Sequence, residues 1–333
     1  MPAFLPHRRA FVSFLALACC LGSAQAKDNT AAAYPHKPIT MVVPFSAGGG
    51  VDSTARMLHN KLGQVLGQSV VIENLPGAAG TIGSYKVARS AADGYTLLFA
   101  VASPLNVAPL VAPSAVRYDT FKDFTPIATV GVSPFVLIGR PGLPAKDVAS
   151  LIQLVQSQPG KLNFGTDGVG TSLHITAEMI KQRAQLDMVH VPYKSGPQVL
   201  TDVAGSQLDL AVLPLTLAAP FIAQGKVQAY GVTSKNRADL APEVPALAES
   251  PVFKDFEVDS WLGVLAPANL PAAIQAKLVQ AIETSVKDPE IVGKLADIAV
   301  RPTVISGDSF GSYLRKERQL TQDVVTAANI KAE

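Results

Sequence analysis

Two short stretches concentrate the groups that could hold an anion. The first, SAGGG at Ser46 to Gly50, follows the apolar run ITMVVPF and leads into a segment with helical spacing. Glycine lets successive backbone N–H groups approach a ligand there, and the helix behind adds unpaired N–H groups and the positive end of its dipole. The second, TDGVGTS at Thr166 to Ser172, repeats strand, Gly-rich loop and helix start, and adds the hydroxyls of Thr166, Thr171 and Ser172. Alone, the first loop is also readable as a turn that only lets a helix pack on a strand. Two such loops, one from each half of the chain, make a clamp the better reading. A helix dipole contributes about 0.3 to 1 kcal/mol per charge, rising to about 2 kcal/mol when partly buried. Micromolar binding needs about 8 kcal/mol. Direct hydrogen bonds to a charged group add roughly 1.5 to 3 kcal/mol each, so three or four donors in a closing cleft hold a carboxylate without an arginine clamp.

Other chemistries fit less well. A dinucleotide fingerprint starting at Gly48 needs glycine where Ser53 stands, and the Gly-Lys-Ser/Thr ending of a P-loop is absent. Catalysis lacks its usual residues, because the chain has no H-E-x-x-H helix, and His36, His59, His174 and His190 show no metal-ligand spacing. Ser172 and His174 stand at i, i+2 and so lie on different faces of a helix. No catalytic residue, cofactor or metal is expected. Arg56 lies four residues after Asp52, so the pair is expected to close on itself rather than meet a ligand. His174 is expected to pack in its helix, Lys194 to be solvated, Tyr193 to line the cleft, and Trp261 to pack at a hinge. Asp209 is expected to fasten a loop, with ligand contact as the alternative.

Positioning these loops requires alternating strands and helices. ITMVV (Ile39 to Val43), SVVIE (Ser69 to Glu73) and YTLLFA (Tyr95 to Ala100) alternate with helical spacing, as in βαβ units around a mostly parallel sheet. The pattern restarts with LNFGT, MVHVPY, LDLAV and VQAYGVT between Leu162 and Thr233. Val130 to Pro144 and Phe256 to Pro271 are extended and end in proline-rich punctuation. They read as two crossing strands between two α/β lobes, with the helices near Pro271 to Val286 and Ser309 to Ala328 returning to the first lobe. The expected division is residues 1–26 as a signal peptide, 27–135 with 260–333 as lobe 1, and 136–259 as lobe 2. A cleft between such lobes encloses a small molecule.

The first nine residues carry Arg8 and Arg9 and no acid, and the apolar run Ala10 to Gly22 precedes SAQA at Ser23 to Ala26. This is the pattern of a secretory signal, by the general or the twin-arginine route, with cleavage after Ala26. LALAC is a poor match to a lipid-anchoring signal. Both cysteines, Cys19 and Cys20, fall inside the removed segment, which suits a periplasmic destination. Cleavage removes two of the 28 basic residues and none of the 26 acidic ones, leaving no formal net charge. A balanced chain without basic runs offers no footprint for nucleic acid or an anionic membrane.

Four blocks, MVVPFSAGGGVDSTARML, VIENLPGAAGTIGSYKVARSAADGYTLLFA, FGTDGVGTSLHITAE and VPYKSGPQVLTDVAGSQLDL, resemble in order and spacing the solute-binding receptors of the tripartite tricarboxylate transporter system, the TctC or Bug family. The resemblance spans the chain after the signal segment. It implies a two-lobed, type II-like periplasmic-binding-protein fold with two crossing strands, acting as a monomer that closes over a small carboxylate or amino-acid-like solute. It also implies delivery to membrane permease subunits, with signalling to a sensor kinase as the alternative partner. By position, Phe45, Ser46, Ala47, Gly48 and Gly49 contact one end of the ligand and Asp52 braces them. Thr166, Asp167, Gly168, Gly170, Thr171 and Ser172 take a carboxylate, and Ser103 lies near the cleft. Many relatives have serine where Asp167 stands. An acid there either points inward, selecting a ligand end that is cationic or uncharged, or caps the following helix; the cap is the preferred reading.

Overall fold

The computed structural model describes residues 34–331. The signal-peptide reading therefore falls outside the described residues. Among those residues no helix is long and apolar enough to cross a membrane.

The first unit runs β1 (Ile39–Val43), α1 (Gly50–Leu66), β2 (Val70–Asn74), α2 (Thr81–Ala88) and β3 (Thr96–Ala100). β1 pairs in parallel with both β2 and β3. Successive side chains of a strand point to opposite faces, and both faces of β1 are covered. Ile39, Met41 and Val43 pack with Ala55, Leu58 and Leu62 of α1 and with Leu278 and Ile282 of α8 (Ala272–Val286). Val42 packs on the other side with Leu98, Val87 of α2 and Phe310 of α10 (Gly307–Ala327). That explains why β1 reads as a nearly continuous apolar run rather than an alternating one. Each fully buried leucine in these layers contributes about 1.5 to 3 kcal/mol.

After a π-helical turn at Ser103–Val107 and the short α3 (Ala108–Val111), the sixteen-residue β4 (Phe124–Gly139) carries the chain into the second lobe. That lobe holds α4 (Val148–Ser157), β5 (Asn163–Thr166), α5 (Ser172–Ala184), β6 (Val189–Pro192), α6 (Gly196–Ala204), β7 (Leu210–Pro214), α7 (Leu215–Ala223) and β8 (Gln228–Val232). β5 pairs in parallel with β6 and β7. Return comes through β9 (Asp259–Pro267), followed by α8, α9 (Pro289–Ala296), β10 (Arg301–Pro302) and α10.

The sheet order is β2-β1-β3-β9-β4-β7-β5-β6, with β8 and β10 also pairing β4. β4 changes partners in mid-strand: Phe124 to Pro134 pair antiparallel with β9, and Phe135 to Gly139 pair antiparallel with β7 and β8. Pro134 sits opposite Asp259, and the next backbone link, from Val258 N–H to Thr233 O at 2.9 Å, already belongs to the second lobe. The handover on both crossings thus falls at one level. β8, expected in the parallel series, is instead antiparallel to the crossing strand. Its alternating pattern could not distinguish these two neighbours.

The lobes also touch away from the crossings. Ile175 of α5 packs with Val107 and Val111 of the first lobe and with Val324 of α10. Glycine is required at position 170, where φ is +69° and a Cβ would stand 2.6 Å from Val111 Cγ2.

Candidate functional site

The β1–α1 loop is held by one carboxylate. Asp52, 1% exposed, accepts from Gly48 N–H at 2.8 Å, from Arg56 Nε at 2.9 Å and from Asn74 Nδ2 at 2.8 Å. Burial opposes its charge, but these donors outweigh burial and hold the carboxyl below the usual range. Asn74 also donates to Phe45 O and accepts from Arg56 Nη2, so the end of β2 ties both sides of the loop. Gly48, at φ +81°, spends its N–H on Asp52, and Gly49 N–H bonds Ser46 O. These two residues shape the loop, and the donors lie one turn further on. Gly49 is the N-cap of α1 without a side-chain cap, so Gly50, Val51 and Asp52 present first-turn N–H groups without intrahelical acceptors.

A neighbouring loop was not singled out by sequence. Gly77, Ala78, Ala79 and Gly80 all have positive φ, and Gly80 begins α2 without a side-chain cap. Two alanines in the left-handed region cost roughly 1 to 2 kcal/mol each, the kind of strain found where backbone is preset for a ligand. A Cβ on Gly80 would sit 3.3 Å from both Phe45 and Pro104, so this loop, Phe45 and the Ser103 turn converge. The signal available in sequence was the PGAAG string, whose two glycines flank the strained pair.

In the second lobe the hydroxyls are more committed than expected. Thr166, fully buried, bonds Gly168 O at 3.1 Å and His190 Nε2 at 2.7 Å, and so is not free for a ligand. Thr171 is the N-cap of α5, accepting from His174 N–H at 3.2 Å and donating to Gly168 O. Gly170 N–H donates to His174 Nδ1 at 3.0 Å, and the His174 and His190 rings stack 3.8 Å apart. Burial lowers both imidazoles, Glu178 opposing the shift at His174, and brings His190 down to about 3.

The preferred reading of Asp167 is overturned, since Thr171 occupies the cap position. Asp167 Oδ1 is buried without a hydrogen-bond partner, and burial raises its pKa against the opposing Thr171 hydroxyl. Ser172 instead meets the first lobe, its Oγ lying 3.1 Å from Ser103 Oγ. Asp209 fastens the chain, as expected, and the alternative of ligand contact is set aside. It accepts from Arg140 Nε at 2.9 Å and Asn163 N–H at 3.0 Å, at the start of β5 and hence at the opposite end of that strand from Thr166. It fastens the entry to the lobe and takes no part in the loop cluster. Tyr193 N–H bonds Thr166 O, while its hydroxyl donates to Asp202 at 2.7 Å and is pushed up to about 12 by burial and that partner. Lys194 is exposed, and Trp261 is fully buried with Nε1 donating to Glu317 at 2.8 Å. No group of three His, Cys, Asp or Glu side chains converges for a metal among the described residues.

The contacts thus bring Phe45, the Gly80 turn and the Ser103 turn of the first lobe to Ser172 of the second, with uncapped helix starts in the first lobe and a partnerless Asp167 oxygen in the second. Residues 54–330 match the family described as the tripartite tricarboxylate transporter family receptor, TctC. Protein BugT of Bordetella pertussis is 32% identical over 301 residues, covering 90% of this chain and 92% of that one. Two solved structures from Rhodopseudomonas palustris are similar: Rpa4515 with adipate, at 29% identity and TM-score 0.79 over 90% of this chain and 99% of that one, and MatC with bound malate, at 29% identity and TM-score 0.74 over 88% and 100%. These relatives are solute-binding receptors rather than enzymes. The chain belongs to the TctC family of periplasmic solute-binding receptors.

Proposed function

We propose that this protein closes its lobes over a small organic acid and presents the loaded form to a pair of membrane permease subunits. The ligand carboxylate lies against the uncapped starts of α1 and α2, where the first-turn N–H groups supply the three or four donors that micromolar binding requires. The opposite end approaches Asp167 and carries an ammonium or an uncharged donor rather than a second carboxylate. The observation that carries this reading is the Ser103–Ser172 contact, which joins the loop turn of one lobe to the helix start of the other beside that unpaired acid. The acids named for Rpa4515 and MatC support the ligand class. Asp167 argues for a choice within it.

A thermal-shift titration with malate, adipate, aspartate and glutamine tests the assignment. A true ligand at one hundred times its Kd adds about 2.7 kcal/mol of stability. Aspartate or glutamine should exceed adipate in the wild type, and Asp167→Asn should strengthen adipate about tenfold. If none of the four raised Tm, or if the substitution left their ranking unchanged, the proposal would fail.

A further inference from the structure

An interlobe cavity lies against the crossing strands and reaches Ser172, one side of the Ser103–Ser172 contact. It has a volume of about 340 Å³. Ile175 and Met179 of α5 line it from one lobe, Val132 of β4 and Ile305 before α10 from the other, and Phe135 at the handover point. Its polar wall is acidic, formed by Glu257, Asp259 and Glu317, with Arg301 and Lys316 as the cations.

These acids are not paired off in the usual way. The Asp259 side chain is only 8% exposed, yet Oδ1 is buried without a hydrogen-bond partner, and Oδ2 has only a loose contact at 3.8 Å with Arg301, whose side chain is 65% exposed. Glu317 receives both of its donors on one oxygen, Trp261 Nε1 at 2.8 Å and Asn106 Nδ2 at 2.5 Å, both to Oε2. Burial raises Asp259 to about 6, aided by Glu257 against Arg301, and raises Glu317 to about 7. A buried carboxylate oxygen without a donor costs roughly 1 to 3 kcal/mol, which a ligand donor would recover. A metal ion is disfavoured because no three ligating side chains converge among the described residues, and the apolar residues suit an organic body.

We infer that this cavity is a second ligand site, which takes a small molecule carrying a primary ammonium on a short apolar body, with the ammonium on Asp259 and Glu317. Its walls come from both lobes, so occupancy is linked to closure and, by reciprocity, to acid binding at the first site. The inference does not depend on which acid the first site takes.

Trp261 is the only tryptophan in the chain and donates to Glu317, so its indole N–H gives one resonance that reports on the cavity. The ¹⁵N-labelled protein is titrated with phenethylammonium chloride, n-butylammonium chloride, 2-phenylethanol and sodium chloride. Saturable movement of the indole peak is expected with the two ammonium salts and not with the alcohol or the simple salt. Asp259→Asn should weaken ammonium binding tenfold or more. Equal movement with sodium chloride or undiminished binding in Asp259→Asn would each overturn the proposal. Glu317→Gln keeps the acceptor for Trp261 and gives an independent check. Failure of all acids in the thermal-shift test would leave these outcomes readable, because the two measurements use different ligands.

Discussion

The two Gly-rich loops share one plan, strand, glycines and helix start, yet treat their acids in opposite ways. Asp52 is surrounded by Gly48 N–H, Arg56 and Asn74, so its charge is neutralised within its own lobe. Asp167 is half-buried, with its Oδ1 buried and unpaired, while Thr171 performs the capping. A satisfied acid fixes a loop and adds nothing to selectivity. An unsatisfied acid costs stability and is then available to discriminate among ligands. The same motif thus yields a brace on one side of the cleft and a selector on the other.

The largest effect should come from breaking the brace. Asp52→Ala leaves Gly48 N–H without its acceptor and strips Arg56 and the Asn74 amide of a shared partner. Losing a buried carboxylate with several donors should lower unfolding free energy by about 3 kcal/mol in urea titration. Because the folded pKa of Asp52 is depressed, its contribution is present above the unfolded carboxylate value and disappears as pH falls through the folded one. The variant should accordingly show a shallower loss of stability on acidification. An unchanged urea midpoint would mean that the loop is held by something other than Asp52.

Much of this contrast was legible in sequence, and the remainder was hidden for physical reasons. The pairing of Asp52 with Arg56 followed from their i, i+4 spacing, which local geometry dictates. Strand positions such as β1 and β5 followed from apolar runs ending in glycine. Which residue would cap α5 did not follow, because Asp167, Thr171 and Ser172 are all competent and only the turn at Gly168, with φ +139°, decides among them. Asn74 and the strained Ala78–Ala79 turn act through contacts distant in sequence, which no local pattern encodes. The antiparallel placement of β8 was hidden for the same reason, since strand neighbours are chosen by the whole sheet.

The next effect tests whether the two loops cooperate by closing. Gly170 has φ +69°, and a Cβ there would meet Val111 of the opposite lobe at 2.6 Å. Gly170→Ala should weaken acid binding about tenfold, equivalent to about 1.4 kcal/mol, because the clash exists only when the lobes meet. The left-handed backbone costs a further ~1 kcal/mol in either state and appears as lowered Tm. Adding Val111→Ala should restore much of the affinity and none of that Tm loss. If calorimetry found equal affinity in Gly170→Ala and wild type, contact between the lobes at this point would not belong to the bound state.

The smallest effect addresses the selector itself, and its sign is opposite to that of the brace. A carboxyl whose folded pKa is raised contributes stability below the unfolded value of about 3.9, and that contribution is lost as pH rises through the folded value. Above that window the unpaired charge of Asp167 is a net cost. Asp167→Asn removes the titration while keeping shape, so it should raise ligand-free stability at neutral pH by about 1 kcal/mol and leave stability at acid pH nearly unchanged. Urea midpoints measured across pH without ligand would then show the Asp52 and Asp167 variants diverging from wild type at neutral pH in opposite directions. A destabilised Asp167→Asn at neutral pH would show that the carboxylate is satisfied in the folded protein, and the division of the loops into brace and selector would not stand.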